Sequence, residues 1–295
     1  MNLKSIHIWS VFLITIIFAA CNTPKAVVDH AQIADLAYSS GDYARALSTY
    51  EELINSWNDQ HPQKDNPYYD KAGHAAFMMK NYDRSIFHFA QSMHHGTASV
   101  ETYSRLISYY REIKNFSKEM TTIEALMEAY PNSDEAKAEH SRLFEMLVET
   151  DRWEEAAEEW TKITRERDIH QMELYFEVNR KLENTAMCDS LSGVLLTNDN
   201  NNMIGLEWEA VKYYNRAEDR YNKEMEAYEQ NKTNRQYLKL LEALEVVNAD
   251  FQHARDNFEK LYNAYHGKRY ANYLYNIYTR FQDEKKAAYY RERMK

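Results

Sequence analysis

Apolar residues recur at helical spacing from Val27 through Ile33, Leu36 and Ala37, and stop at Ser39-Ser40-Gly41-Asp42. A second amphipathic stretch starts at Tyr43 and runs to about Trp57. Helix, short turn and helix make one hairpin unit, and the chain repeats it. The second-helix pattern, aromatic-x2-small-x3-aromatic, appears at Tyr43/Ala46/Tyr50, Tyr82/Ser85/Phe89, Trp153/Ala156/Trp160 and Phe251/Ala254/Phe258. A weaker copy, Phe116/Glu119/Ile123, lacks the small residue. First helices carry Tyr69-x2-Ala72-Gly73, Tyr103-x2-Leu106-Ile107-x2-Tyr110 and His140-x2-Leu143-Phe144-x2-Leu147.

Each position has a packing cause. Ala46, Gly73, Ser85 and Ala156 let paired helices approach closely, and the aromatics fill the space between hairpins. Tyr82 and Phe116 are 34 residues apart, and Pro131 closes that unit. The pattern resembles the tetratricopeptide repeat over residues 27 to 166 and again near 232 to 295. The resemblance implies an all-α solenoid of about six or seven helical hairpins wound into a right-handed superhelix.

The middle departs from the register. Residues 169 to 183 and 186 to 197 can form a hairpin without its small residue, with Gly193 inside the second helix. Asn198 to Asn202 form a polar loop, and Leu206 to Gln230 read as one long helix with Trp208, Val211, Tyr214, Tyr221 and Met225 on its apolar side. Leu238, Leu241 and Leu244 precede the Phe251 unit, and 270 to 280 with 284 to 294 make a charged last hairpin suited to a solvent-facing cap. The expected division is a signal peptide at 1–20, a tether at 21–28, an N-terminal array at 29–197, and a long helix with repeat-like hairpins at 203–295. Either the solenoid runs on with one decayed repeat or it divides near 198 to 203 into two arrays; a short linker favours a kinked but continuous one.

Composition agrees with helix throughout. Six Gly and four Pro in 295 residues leave little punctuation for strands, and 24 Tyr replace aliphatic core residues. A net charge of −10 argues against nucleic acid as a partner. The two cysteines form no disulfide framework.

At the N-terminus, Met1 to Lys4 supply a positive region and Ile6 to Phe18 an apolar one, too short to span a bilayer comfortably. Phe18-Ala19-Ala20-Cys21 resembles a bacterial lipobox, with Phe18 where Leu is usual. The resemblance implies cleavage before Cys21 and lipidation of its thiol, and acyl chains at roughly 0.8 kcal/mol per buried methylene hold a protein on a membrane. No Asp follows Cys21, and no acidic cluster resembles the surface-export signal of Bacteroidota lipoproteins. The expected place is the outer membrane, periplasm-facing rather than on the cell surface.

Catalytic chemistry finds no support. There is no nucleophile elbow, P-loop or dinucleotide glycine motif. His88, His94 and His95 lack partners at zinc-ligand spacing and read as exposed polar residues, as do the isolated His61, His74, His140 and His170. Cys188 reads as a buried inert thiol, and Glu154-Glu155 with Glu158-Glu159 as a solvated helix face. No cofactor or metal is expected. In tetratricopeptide arrays the first helices line a concave groove, and the resemblance places Tyr38, Asp70, His74, Phe77, Ser104, Arg111 and Glu145 there. The Lys/Asn/Arg carboxylate clamp of some arrays is absent: Ala31, Asp35, Asp70, His74, Ser104 and Ser108 stand in its places. A mixed aromatic and acidic groove suits extended protein segments of some basic character. The expected function is a non-catalytic scaffold or adaptor for envelope or outer-membrane proteins. It loosely resembles the repeat lipoprotein of the β-barrel assembly machinery. The alternative is a glycan-binding lipoprotein of the starch-utilisation type.

Overall fold

The computed structural model describes residues 29 to 294, so the leader, Cys21 and the tether lie outside the described residues. Among those described, every regular element is an α-helix. They are α1 (His30–Ser39), α2 (Tyr43–Gln60), α3 (Tyr68–Met78), α4 (Tyr82–His94), α5 (Val100–Glu112), α6 (Phe116–Ala129) and α7 (Asp134–Glu149). Then come α8 (Trp153–Lys162), α9 (Ile169–Lys181), α10 (Thr185–Asn198), α11 (Met203–Gln230), α12 (Asn234–Tyr265), α13 (Lys268–Arg280) and α14 (Glu284–Glu292). None of the described helices is long and apolar enough to cross a membrane. Two compact units divide at Thr102 and Tyr103, inside α5.

One turn recurs in both units. Gly41, Lys80, Lys114, Asp151, Glu183 and Gln282 each take a positive φ, between 55° and 82°. The next residue is in every case the N-cap of the following helix. Its N–H donates to a carbonyl five residues back: Asp42 to Ala37, Asn81 to Ala76, Asn115 to Tyr110, Arg152 to Leu147, Asn184 to Asn179 and Asp283 to Tyr278, all at 2.8–3.0 Å. These bonds satisfy carbonyls that a helix end leaves bare. Five of the six caps are Asp or Asn and accept a backbone N–H of the new helix; Arg152 does not. Of these six left-handed residues only Gly41 lacks a Cβ.

In the first unit, Ala34, Ala37, Ala46, Leu47, Tyr50, Ile54, Tyr69, Ala72, Ala75 and Ala76 form the core across α1, α2 and α3. The small residues act as expected. Ala46, Ser85 and Ala156 are fully buried, and a Cβ on Gly73 would run into the Phe89 ring. Ser85 Oγ also donates to Gly73 O at 2.9 Å, which ties α4 to α3 at their closest approach.

In the second unit α9 and α10 form a hairpin despite the irregular register. Asn202 caps α11 through Gly205 N at 3.0 Å, and a Cβ on Gly205 would lie 2.8 Å from Leu196 Cγ, so α10 and α11 are in close contact. The second-helix pattern at Phe251 lies inside a longer helix. Leu238, Leu241 and Leu244 belong to the same 32-residue helix as Phe251, because no Pro or Gly interrupts the chain between Thr233 and His266. Leu240, Val247, Phe251, Ala254, Phe258 and Leu261 bury one stripe of α12. The facing stripe of α11 is Leu206, Ala210 and Ala217.

Candidate partner-binding surface

The first unit contains a concavity of about 260 Å³ lined by Asp35, Tyr38 and Ser39 of α1, Tyr50 of α2, Lys71 and His74 of α3, and Glu101 of α5. Asp35 and Tyr38 share a face because they are three residues apart on one helix. The Asp35 carboxylate accepts hydrogen bonds from Tyr50 Oη at 2.5 Å and Lys71 Nζ at 2.8 Å. Burial pushes this carboxyl up, but the Lys71 and Tyr50 hydrogen bonds outweigh it and hold Asp35 below the ordinary range. Burial and the adjacent Asp35 charge push the Tyr50 phenol well above its usual value. Tyr38 stands edge-on to Tyr43, with ring centroids 5.4 Å apart.

Beside this concavity Asp70 and His74 join the start of α5. Asp70 Oδ1 accepts from Ser99 N at 3.3 Å and from the Thr102 hydroxyl. His74 Nε2 lies 3.2 Å from Thr102 Oγ1, 3.3 Å from Ser99 Oγ and 3.5 Å from Asp70 Oδ2. Burial again raises the Asp70 carboxyl, and the His74 and Thr102 hydrogen bonds more than reverse it. Acid, imidazole and hydroxyl resemble a hydrolytic relay in composition only. Such a relay places acid and nucleophile on opposite ring nitrogens. Here all three oxygens crowd Nε2, and Nδ1 is buried without a partner. The cluster pins Ser99 and Thr102 onto α3.

The remaining expected groove residues are tied to neighbouring helices. Phe77 packs edge-on against Tyr82, with centroids 5.5 Å apart. In the second unit Arg111 donates to Glu119 at 2.7 Å and to Glu139 at 2.7 Å. Glu145 accepts from Gln171 Nε2 at 3.4 Å and pairs with Arg142 at 3.6 Å. The structure therefore places Tyr38 and His74 on one concavity with Asp70 next to it, while Phe77, Arg111 and Glu145 lie outside its lining. Asp35, Tyr50 and Lys71 join that concavity, and of these the repeat register points only to Asp35, at a clamp position.

Several polar residues expected to be solvated are internal. His74 and His88 are buried, 8% and 4% exposed. His88 Nε2 donates to Glu51 at 2.9 Å, and burial holds its imidazole below the usual value despite Glu51. His140 bonds Glu159, which is buried on α8 and also holds Lys162 at 3.0 Å. His95 stacks on Tyr69 and reaches Asp65 at 3.3 Å. Each partner is far away in sequence or on another helix, which is why local spacing gave no sign of it. No cluster of three or more His, Cys, Asp or Glu among the described residues could hold a metal ion. Cys188 is buried in an apolar cluster with Phe176, Leu191 and Leu195, and burial raises its thiol above the usual value.

No protein-family model matches the chain. No curated protein matches it in sequence. Among solved structures it is similar to YrrB, described as a TPR protein with an unusual peptide-binding site, at 14% identity and a TM-score of 0.38, covering 61% of this chain and 90% of that one. It is also similar to the C-terminal part of a TPR repeat-containing protein from Cytophaga hutchinsonii, at 14% identity and 0.38, covering 89% and 93%. A third is a TPR repeats protein from Bacteroides fragilis, at 15% identity and 0.34, covering 85% and 96%. At this level of likeness none of them bears on what this chain binds.

Proposed function

We propose that this chain is a non-catalytic scaffold or adaptor that binds protein segments, held by a lipid on Cys21 at the periplasmic side of a bacterial outer membrane. In this reading it serves the assembly of envelope or outer-membrane proteins. The observation that carries the binding role is the concavity between α1, α3 and α5. It presents Tyr38 beside Asp35 and Glu101, with Lys71 and the buried Tyr50 already bonded to Asp35. An aromatic ring beside carboxylates suits an extended segment carrying Lys or Arg, whose stem packs on the ring while its head meets the carboxylates. The lipobox-like Phe18-Ala19-Ala20-Cys21 supports the anchor, and a tether to the membrane raises the effective concentration of partners on the same surface.

Photo-crosslinking from position 38 in intact envelopes tests the binding role. Capture of a β-barrel or secretion component is the expected result, and recovery of polysaccharide alone would overturn it in favour of glycan uptake. Cys21→Ser is expected to move the protein into soluble fractions; continued membrane retention would refute the anchor.

A further inference from the structure

The pair α11/α12 is longer than any other hairpin described, at 28 and 32 residues. Helix α13 reaches α12 at Phe258, where Tyr273 stacks with centroids 4.4 Å apart, and at Phe251, which Arg280 covers at 5.2 Å. On α11, Arg280 reaches Tyr221 at 4.7 Å. Beyond these contacts α12 faces α11 through Leu240 and Val247, and Tyr228 meets Tyr237 with centroids 5.8 Å apart.

A second stripe on the same stretch of α12 is turned away from α11. Asn234, Leu238, Leu241 and Glu245 follow a four-three-four spacing, the seam of a two-helix coiled coil. Leu238 is 54% exposed and Leu241 41%. Arg235 and Glu242, one heptad apart, flank one edge of this seam, and neither has an ion partner among the described residues. By contrast Arg216 of α11 is bonded to buried Asp250 of α12 at 2.8 Å.

We infer that this stripe is the contact for a second copy of the same chain, packed antiparallel about a twofold axis between Leu238 and Leu241. The stripe is complementary to itself in that direction. Leu238 meets Leu241 of the copy twice over, Asn234 meets Glu245, and Arg235 meets Glu242, so every residue finds its partner in the reciprocal position. A parallel pairing would instead put Glu245 on Glu245 inside the seam and separate Arg235 from Glu242. The apolar residues supply the attraction and the charge order selects the direction. The seam spans about 17 Å, well short of the area of a stable obligate interface, so the dimer is a weak one, dissociating at about 10–100 μM.

Sedimentation equilibrium of the full chain tests this. The expected result is a reversible monomer–dimer equilibrium, abolished by Leu238→Asn with Leu241→Asn. Arg235→Glu or Glu242→Arg alone is expected to weaken it at least tenfold, and the two together to restore it to within about threefold, because the reciprocal pairs re-form with exchanged signs. All these side chains are exposed, so unchanged thermal unfolding serves as the control for folding. A chain monomeric up to about 0.5 mM overturns the inference. So does a dimer that survives the leucine substitutions, or one that the double charge exchange fails to restore.

Discussion

The hairpins α3/α4 and α5/α6 solve the same packing problem in opposite ways. Where α4 approaches α3, the register positions hold Ser85 and Gly73, and the Phe89 ring occupies the space a Cβ would need. At the position of Ser85, α6 carries Glu119, which is 2% exposed. A carboxylate there needs cations, and two arrive from neighbouring helices: Arg111 at 2.7 Å from α5 and Arg142 at 3.1 Å from α7. One hairpin is held by contact distance and the other by a buried ion cluster. The difference teaches that the repeat constrains a distance between helices, while the chemistry that maintains it is open.

The comparison can be broken at either hairpin. Removing both Arg111 and Arg142 by Ala substitution strands a buried carboxylate, and the expected loss is about 3–5 kcal/mol in urea unfolding. Phe89→Ala empties the space over Gly73 in a fully buried site and is expected to cost about 3–5 kcal/mol by the same measurement. Gly73→Ala tests the close approach itself. Its gain in helix propensity is smaller than the overpacking against Phe89, so a net loss of about 1–2 kcal/mol is expected, and Glu119→Ala should show no comparable steric penalty.

Acidity sharpens the contrast. Burial pushes the Glu119 carboxyl up, but hydrogen bonds from Arg142 and Arg111 outweigh it and hold it below the ordinary glutamate value. A lowered folded-state pKa contributes stability that is complete above the unfolded value and lost as pH falls through the folded one. Thermal unfolding between pH 7 and about pH 3 should therefore show the wild type losing stability. The variant lacking both arginines should lose less, because protonating its stranded carboxylate relieves it. The smallest effect concerns the turns. Lys80→Gly removes a Cβ from a left-handed residue and is expected to raise stability by about 0.5–1 kcal/mol, whereas Gly41 already lacks that cost.

Much of this architecture was legible in the chain. Ala46, Ser85, Ala156 and the aromatics around them carry the register because a close approach admits few residue types. The continuity of α12 was legible too, in the absence of any Gly or Pro from Asn234 to Tyr265, although the Phe251 unit suggested a separate start. The internal roles of His88, His140 and Glu159 were not, because a histidine on an amphipathic helix looks the same whether or not a carboxylate waits for it elsewhere. The concavity was half legible: Tyr38 and His74 follow from the repeat, while the Tyr50–Asp35–Lys71 bonds depend on where three helices converge.

The turn shared by six hairpins has a consequence for how such a chain can change over generations. Its left-handed residue is Gly, Lys, Lys, Asp, Glu or Gln, and the backbone bond across it is the same each time. The joint is thus specified by the backbone and a short polar cap, with almost no demand on the left-handed side chain. A whole hairpin with such a joint is an exchangeable cassette: duplication, loss or recombination between joints leaves the angle at each junction intact, and selection acts on the outward faces alone.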